Sequence, residues 1–174
     1  MSDFFESYYL RSSNSQDAYN ILMNTGLHGY IFSPSNGWTQ FVAEGIPLTM
    51  NPAVAQVNPG ILIHMIYAGD HGWEFMVFHQ SKQIAKYSCR WDFGLRIESE
   101  GDINWLFEQL NIQSTTLDEI LFPAHQDGIA LEQAQPEEAL CKLIGLRSID
   151  SISYRYINMY PQIYRDMDHK LIVV

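Results

Sequence analysis

The sequence predicts an α+β fold: a mixed, mostly antiparallel sheet with a β-α-β-β-α-β-β-β core, covered by C-terminal helices and followed by one or two late strands. Three observations carry that reading. The stretch 61–91, ILIHMIYAGDHGWEFMVFHQSKQIAKYSCRW, reads as three strands joined by two tight turns. Ahead of it lie a strand, a helix and a hairpin signal in quick succession. Past Trp91 the apolar period changes from alternation to helical spacing. The 174 residues suit one domain, with 1–92 forming the sheet and 93–174 the helical cover and terminal strands.

In chain order, Phe4 to Leu10 mixes aromatic and polar residues as a strand does. The turn formers from Arg11 to Ser15 supply a helix cap. Ala18, Ile21 and Leu22 follow at helical spacing, and Gly26 closes the helix. His28 to Phe32 and Trp38 to Ala43 flank SPSNG, a Pro and Asn-Gly turn signal, so a hairpin is expected. Asn51-Pro52 starts a short helix that ends at Asn58-Pro59-Gly60.

Ile61 to Ala68 and Trp73 to His79 are joined by Gly69-Asp70-His71-Gly72, which has the glycines a tight turn needs. With Ala68 opposite Trp73, alternation places Leu62, His64, Ile66, Ala68, Trp73, Phe75, Val77 and His79 on one face. Ile61, Ile63, Met65, Tyr67, Met76 and Phe78 take the other. Both faces are apolar, so the hairpin is expected at the centre of the sheet with cover on both sides.

Ile84 to Trp91 gives a third strand with Ala85, Tyr87, Cys89 and Trp91 on its greasy side. If His79 pairs with Ile84, Lys86, Ser88 and Arg90 stand beside Trp73, Phe75, Val77 and His79. Such a margin is either an edge strand protected by charge or a binding surface.

Beyond it, Asp102 caps a helix over Ile103 to Leu110. Thr116 and Glu119 form a capping box for a short helix ended by Pro123, and Pro136 begins a third helix closed by Gly145. Ala124 to Gln135 reads as a loose loop. Strands are expected over Ile149 to Tyr156 and Lys170 to Val174.

Composition excludes several classes. At 47% hydrophobic and 13% aromatic the chain can build a core, and no apolar run approaches the roughly 20 residues of a membrane span. The start, MSDFFESYYL, lacks the basic region and cleavage site of a secretory signal, which places the protein in the cytoplasm. Cys89 and Cys141, both at apolar positions and without a CxxC partner, read as buried thiols of a reducing compartment.

The net charge is -10, and its distribution is uneven. No Lys or Arg occurs between Arg96 and Lys142, a span that holds Glu98, Glu100, Asp102, Glu108, Asp118, Glu119, Asp127, Glu132, Glu137 and Glu138. Such a region repels nucleic acid and attracts a basic protein, or else it only solvates the surface. Asp118, Glu119, Glu137 and Glu138 are the candidate partner-binding residues.

The segments SPSNGW at 33–38, GDHGW at 69–73, YSCRWD at 87–92 and LIGLRSIDSISYRYI at 143–157 resemble those of small uncharacterised bacterial proteins built on Gly-Trp hairpins. The resemblance implies a bacterial, cytosolic, stand-alone protein and brings no catalytic set with it. Some small acidic proteins of that kind act as immunity partners of toxins.

No nucleophile elbow, P-loop, dinucleotide fingerprint or metal-ligand spacing is present, so no reaction, cofactor or metal is assigned. His64 and His79, as diagonal neighbours roughly 7 Å apart, could share an ion. A third ligand fails, because Asp70 lies roughly 20 Å from His64 along the strand. Asp70-His71 could be an acid-base pair but also suits a hairpin tip. Ser88 approaches His79 only in the assumed register, with no oxyanion donor in view. Trp38, Trp73, Trp91 and Trp105 read as core, the alternative being an aromatic stripe beside Lys86 and Arg90 that stacks a base or sugar. Two functions follow. The leading one is a non-catalytic interaction module binding a basic partner, of the immunity type that the resemblance implies; the other is a small-ligand binder or enzyme around His64, His79, Lys86 and Arg90.

Overall fold

A computed structural model describes residues 4–113, 117–122, 128–147, 152–162 and 172–173. Among the described residues eight strands form one sheet: β1 (Phe4–Leu10), β2 (Gly29–Ile31), β3 (Thr39–Ala43), β4 (Ile61–Ala68), β5 (Gly72–His79), β6 (Lys82–Arg90), β7 (Arg96–Gly101) and β8 (Ile172–Val173). Their order is β7-β6-β5-β4-β1-β3-β2-β8, and each of these pairings is antiparallel. Seven helices accompany them among the described residues: α1 (Ser15–Thr25), α2 (Pro52–Gln56), α3 (Ile103–Gln109), α4 (Leu117–Leu121), α5 (Gly128–Ala134), α6 (Pro136–Ile144) and α7 (Tyr154–Met159). The fold is α+β, and its first eight elements follow the expected order.

Local chemistry sets the helix ends. Asn14 caps α1 by accepting the Gln16 amide, and Gly26 ends it in the left-handed region at φ 68°. Asn51 does the same for α2 through the Ala53 amide, with Pro52 at the first helical position. Asp102 caps α3 on the Trp105 amide.

The two sheet faces carry separate cores. On the first face, Phe5, Tyr9, Ile63, Met65, Trp73, Phe75, Val77, Ala85, Tyr87 and Cys89 pack under α3, α4, α5 and α6 through Leu106, Phe107, Leu121, Leu131, Leu140 and Ile144. The C-terminal helices are therefore the cover of this face. At its far end Phe32 and Val42 meet Ile157 of α7. On the second face, Tyr8, Leu10, Phe41, Leu62 and Phe78 pack under Ala18, Ile21 and Leu22 of α1 and Val54 and Ala55 of α2. No side chain of β6 or β7 joins that second cluster. The second face is thus covered over β3, β1, β4 and the Met76 and Phe78 end of β5, and its remainder, from Glu74 across β6 and β7, is polar.

The central hairpin differs from the sequence expectation by one residue. Tyr67, not Ala68, lies opposite Trp73, so the turn spans five residues and closes through a single 3₁₀ turn at Gly69–His71. Because side chains alternate, that slip carries every β5 residue to the other face relative to β4. Trp73, Phe75 and Val77 join Tyr67, Met65 and Ile63, while Glu74 and Met76 join Ile66 and His64. Gly72 fixes the geometry: its φ is 131°, and a β-carbon there would sit 2.1 Å from the Cys89 carbonyl oxygen of β6.

Further departures concern the margins. A register shift between Val77 and Phe78 brings His79 opposite Lys82, not Ile84. The polar residues of β6 consequently stand beside Glu74 and Met76, as Ser88 and Lys86, rather than beside Trp73, Phe75 and Val77. β6 is not the edge, since β7 pairs outside it and extends the sheet beyond residue 92. Within the expected loop Ala124 to Gln135, residues Gly128–Ala134 are helical. The strand expected over Ile149 to Tyr156 is overturned at its end by α7, which begins when the Ser153 hydroxyl accepts the Tyr156 amide. Its start at 149–151 lies outside the described residues, as do Thr116 of the capping box and Asp127. The last expected strand is present as Ile172–Val173 on β2.

Candidate functional site

The corrected register disperses the histidine site. His64 points to the second face beneath α1 and α2, while His79 lies on the first face with its ring 5.2 Å from that of Trp105. They are not neighbours. Among the described residues no group of three or more His, Cys, Asp or Glu side chains is arranged to hold a metal. Ser88 and His79 are likewise on opposite faces, which removes the suggested nucleophile and base.

His64 is 1% exposed, and its Nε2 lies 2.9 Å from Glu6 Oε1. The other carboxylate oxygen of Glu6 accepts the Leu48 amide, and the Tyr8 hydroxyl accepts the Asn51 amide. Tyr8 also stacks on His64 at 4.6 Å. Together these contacts tie the segment 44–51 down over β1 and β4. The role is structural, and the His64 ring is closed off from ligand.

Trp38, Trp73 and Trp91 are buried on the first face, with Trp105 half-buried beside them. Lys86 and Arg90 stand on the second face, so no aromatic stripe runs alongside them. The four tryptophans are core.

What the second face offers instead is a cavity of about 320 Å3 where β4, β5 and β6 meet the turn at Gly69–His71. Its lining combines an apolar set, Phe4, Leu48, Ile66 and Ala68, with a charged set, His71, Glu74, Arg90 and Asp92, beside Gly72 and Trp73; Ile66 and Glu74 are cross-strand partners. Arg90 is the only one of the four ligand candidates that reaches it. Of its lining, Phe4 and Leu48 are large apolar side chains that remain exposed. Within the charged set Glu74 and Arg90 approach to 3.6 Å. His71 lies 3.4 Å from Asp92 and 3.6 Å from Asp70. Asp92 also accepts the Phe93 amide. The sequence signal for this site was Glu74, the single charged residue inside an otherwise apolar strand.

The chain matches no protein-family model, no curated protein and no solved structure.

The acidic candidates divide. Asp118 and Glu119 are exposed on α4, and Glu138 is half-buried on α6. Glu137 is only 4% exposed, facing the core beside Cys141. Burial pushes its carboxyl up to about 7, with Glu138 adding to the shift, and its Oε2 has no hydrogen-bond partner. Glu137 therefore belongs to the first-face core and not to a partner surface. Sequence reasoning missed this because Pro136, Glu137, Leu140, Cys141 and Ile144 together make one buried stripe with a carboxylate in it.

The larger acidic display comes from elsewhere. Glu98 and Glu100 are exposed on β7, the free edge of the sheet, and Asp102 and Glu108 are exposed at α3, which follows it. No ion pair engages them, nor Asp118, Glu119 or Glu132, among the described residues. Both cysteines are buried and free. No described helix is long and apolar enough to cross a membrane.

Proposed function

We propose that the chain is a non-catalytic interaction module that holds a basic protein through the carboxylates at the β7 edge and on the helices beside it. The observation that carries this reading is that Glu98, Glu100, Asp102, Glu108, Asp118, Glu119 and Glu132 are all exposed and none is in an ion pair among the described residues. Unpaired carboxylates of one sign set up a field that steers a cationic partner and repels nucleic acid. An immunity-type role, in which the partner is a basic toxin, agrees with that field. Two free buried thiols favour a reducing cytoplasm as its location.

The test is capture from the native cell extract at low salt, followed by stepwise elution. Reversing Glu98, Glu100, Asp118 and Glu119 to Lys removes the field and leaves Glu137 in place. The wild-type protein should retain a basic protein that releases as salt shortens the screening length to roughly 8 Å, while the reversed variant retains none. Its melting temperature should move by only a few degrees, because exposed charges contribute little to stability. Equal capture by both proteins, or capture by neither, overturns the reading.

A further inference from the structure

We propose that the cavity between β4, β5 and β6 is a binding site for a small zwitterion with an apolar body, of the class of the free aliphatic and aromatic α-amino acids. Glu74 and Arg90 are the charged pair that faces the cavity. The Glu74 side chain is 14% exposed, yet its carboxylate accepts no hydrogen bond among the described residues; its single ionic contact is Arg90 at 3.6 Å. That separation is beyond hydrogen-bonding range. Arg90 is 61% exposed and its guanidinium donates no hydrogen bond to another described residue, so its N–H groups face solvent and can turn to a ligand. Two opposite charges thus stand side by side, neither held by a hydrogen bond from the described residues.

Consider what each kind of head group would do there. A lone ammonium on Glu74 competes with Arg90 and displaces it. A lone carboxylate on Arg90 draws the guanidinium away and leaves Glu74 as a largely buried, unpaired charge, which is costly. A zwitterion gives an ammonium to Glu74 and a carboxylate to Arg90 and leaves neither charge alone. Asp92 is better supplied than Glu74, since it accepts the Phe93 amide and lies 3.4 Å from His71.

The apolar part of the lining selects the rest of the molecule. Ile66, Ala68, Phe4 and Leu48 are apolar, so the ligand body that faces them is an alkyl or aryl group. The volume, about 320 Å3, is at the small end of the roughly 300–1,000 Å3 typical of ligand sites, which suits a single amino acid. Phe4 and Leu48, which line it, are both partly exposed, and a bound side chain would cover them.

Calorimetric titration with L-leucine, isoamylamine and isocaproate separates the alternatives, because the second and third are leucine without its carboxylate and without its ammonium. L-Leucine should bind saturably, and both analogues should bind about tenfold or more weaker. Glu74→Gln and Arg90→Met should each reduce leucine binding to the level of the analogues, whereas Lys86→Met, on the same face outside the cavity, should leave it unchanged. Unaltered melting curves for Arg90→Met keep the test independent of folding. No saturable binding of leucine, methionine or phenylalanine overturns the proposal. So does isoamylamine or isocaproate binding as well as leucine, or leucine binding indifferent to both substitutions.

Discussion

His64 Nε2 lies 2.9 Å from Glu6 Oε1, and through its second oxygen that carboxylate also accepts the Leu48 amide. One side chain on β1 thus engages Nε2 of a buried imidazole on β4 and an amide of the crossing segment at once, while His64 Nδ1 stays buried without a partner among the described residues. Leu48 needs that anchor, because its φ of 57° is uncommon for a residue other than glycine.

Glu6→Ala should therefore cost about 2 kcal/mol of stability by leaving His64 Nε2 buried without a partner. The local effect is more diagnostic. Amide exchange at Leu48 should speed up well beyond the global change, while exchange in the β5 and β6 ladder follows stability alone. Leu48 exchange that tracks the rest of the sheet would show that Glu6 does not hold the segment.

Glu137 predicts a pH dependence. Its carboxyl titrates at about 7 in the folded protein against an ordinary 4.5, because burial disfavours the anion. Stability from this group is full below 4.5, where both states are protonated, and is lost as pH rises through 7. Glu137→Gln should remove that loss and raise stability at alkaline pH by about 2 to 3 kcal/mol. Urea unfolding of both proteins across the range measures it; parallel profiles would show that Glu137 ionises freely.

Trp38 joins the β2–β3 hairpin to the end of α6, its Nε1 donating to the Ile144 carbonyl at 3.1 Å inside the core. Asn36, in the same turn, donates to the Gly145 carbonyl at 3.2 Å, but in solvent. Trp38→Phe should cost about 1 to 3 kcal/mol, since it leaves a buried carbonyl unpaired, and Asn36→Ala distinctly less. Denaturant midpoints at constant slope decide the order.

Truncation after Asp92 removes β7, α3 to α7 and β8. It uncovers Ile63, Met65, Phe75, Val77, Tyr87 and Cys89 on the first face. An apolar face of that extent should aggregate. A monomeric fragment with a cooperative unfolding transition would mean that the C-terminal helices are dispensable as a cover.

Much of the architecture was legible because it is set locally. Asn14 and Gly26 bracket α1, Asn51-Pro52 opens α2, and the Asn-Gly turn at 36–37 joins β2 to β3. The period change after Trp91 marks where the chain passes from sheet to helical cover. Helix caps and turn glycines act over a few residues, so they can be read without knowing what packs above them. β7 was less legible, being short and polar on an exposed edge, where no apolar alternation marks a strand.

The register of the central hairpin was decided by tertiary structure alone. β4 and β5 are apolar on both faces, so alternation could not choose between Ala68 and Tyr67 as the partner of Trp73, and a slip of one residue moves every side chain of β5. The choice was made by how Trp73, Phe75 and Val77 pack with Tyr87 and the C-terminal helices, and by Gly72 against the backbone of β6. Through that choice Glu74 came to stand beside Arg90, His79 left His64, and the polar cavity took its place on the second face. The sequence by itself determined which residues form strands and which helices cover them; only the packed sheet determined which charges meet, because contact across strands depends on a register that local chemistry does not encode.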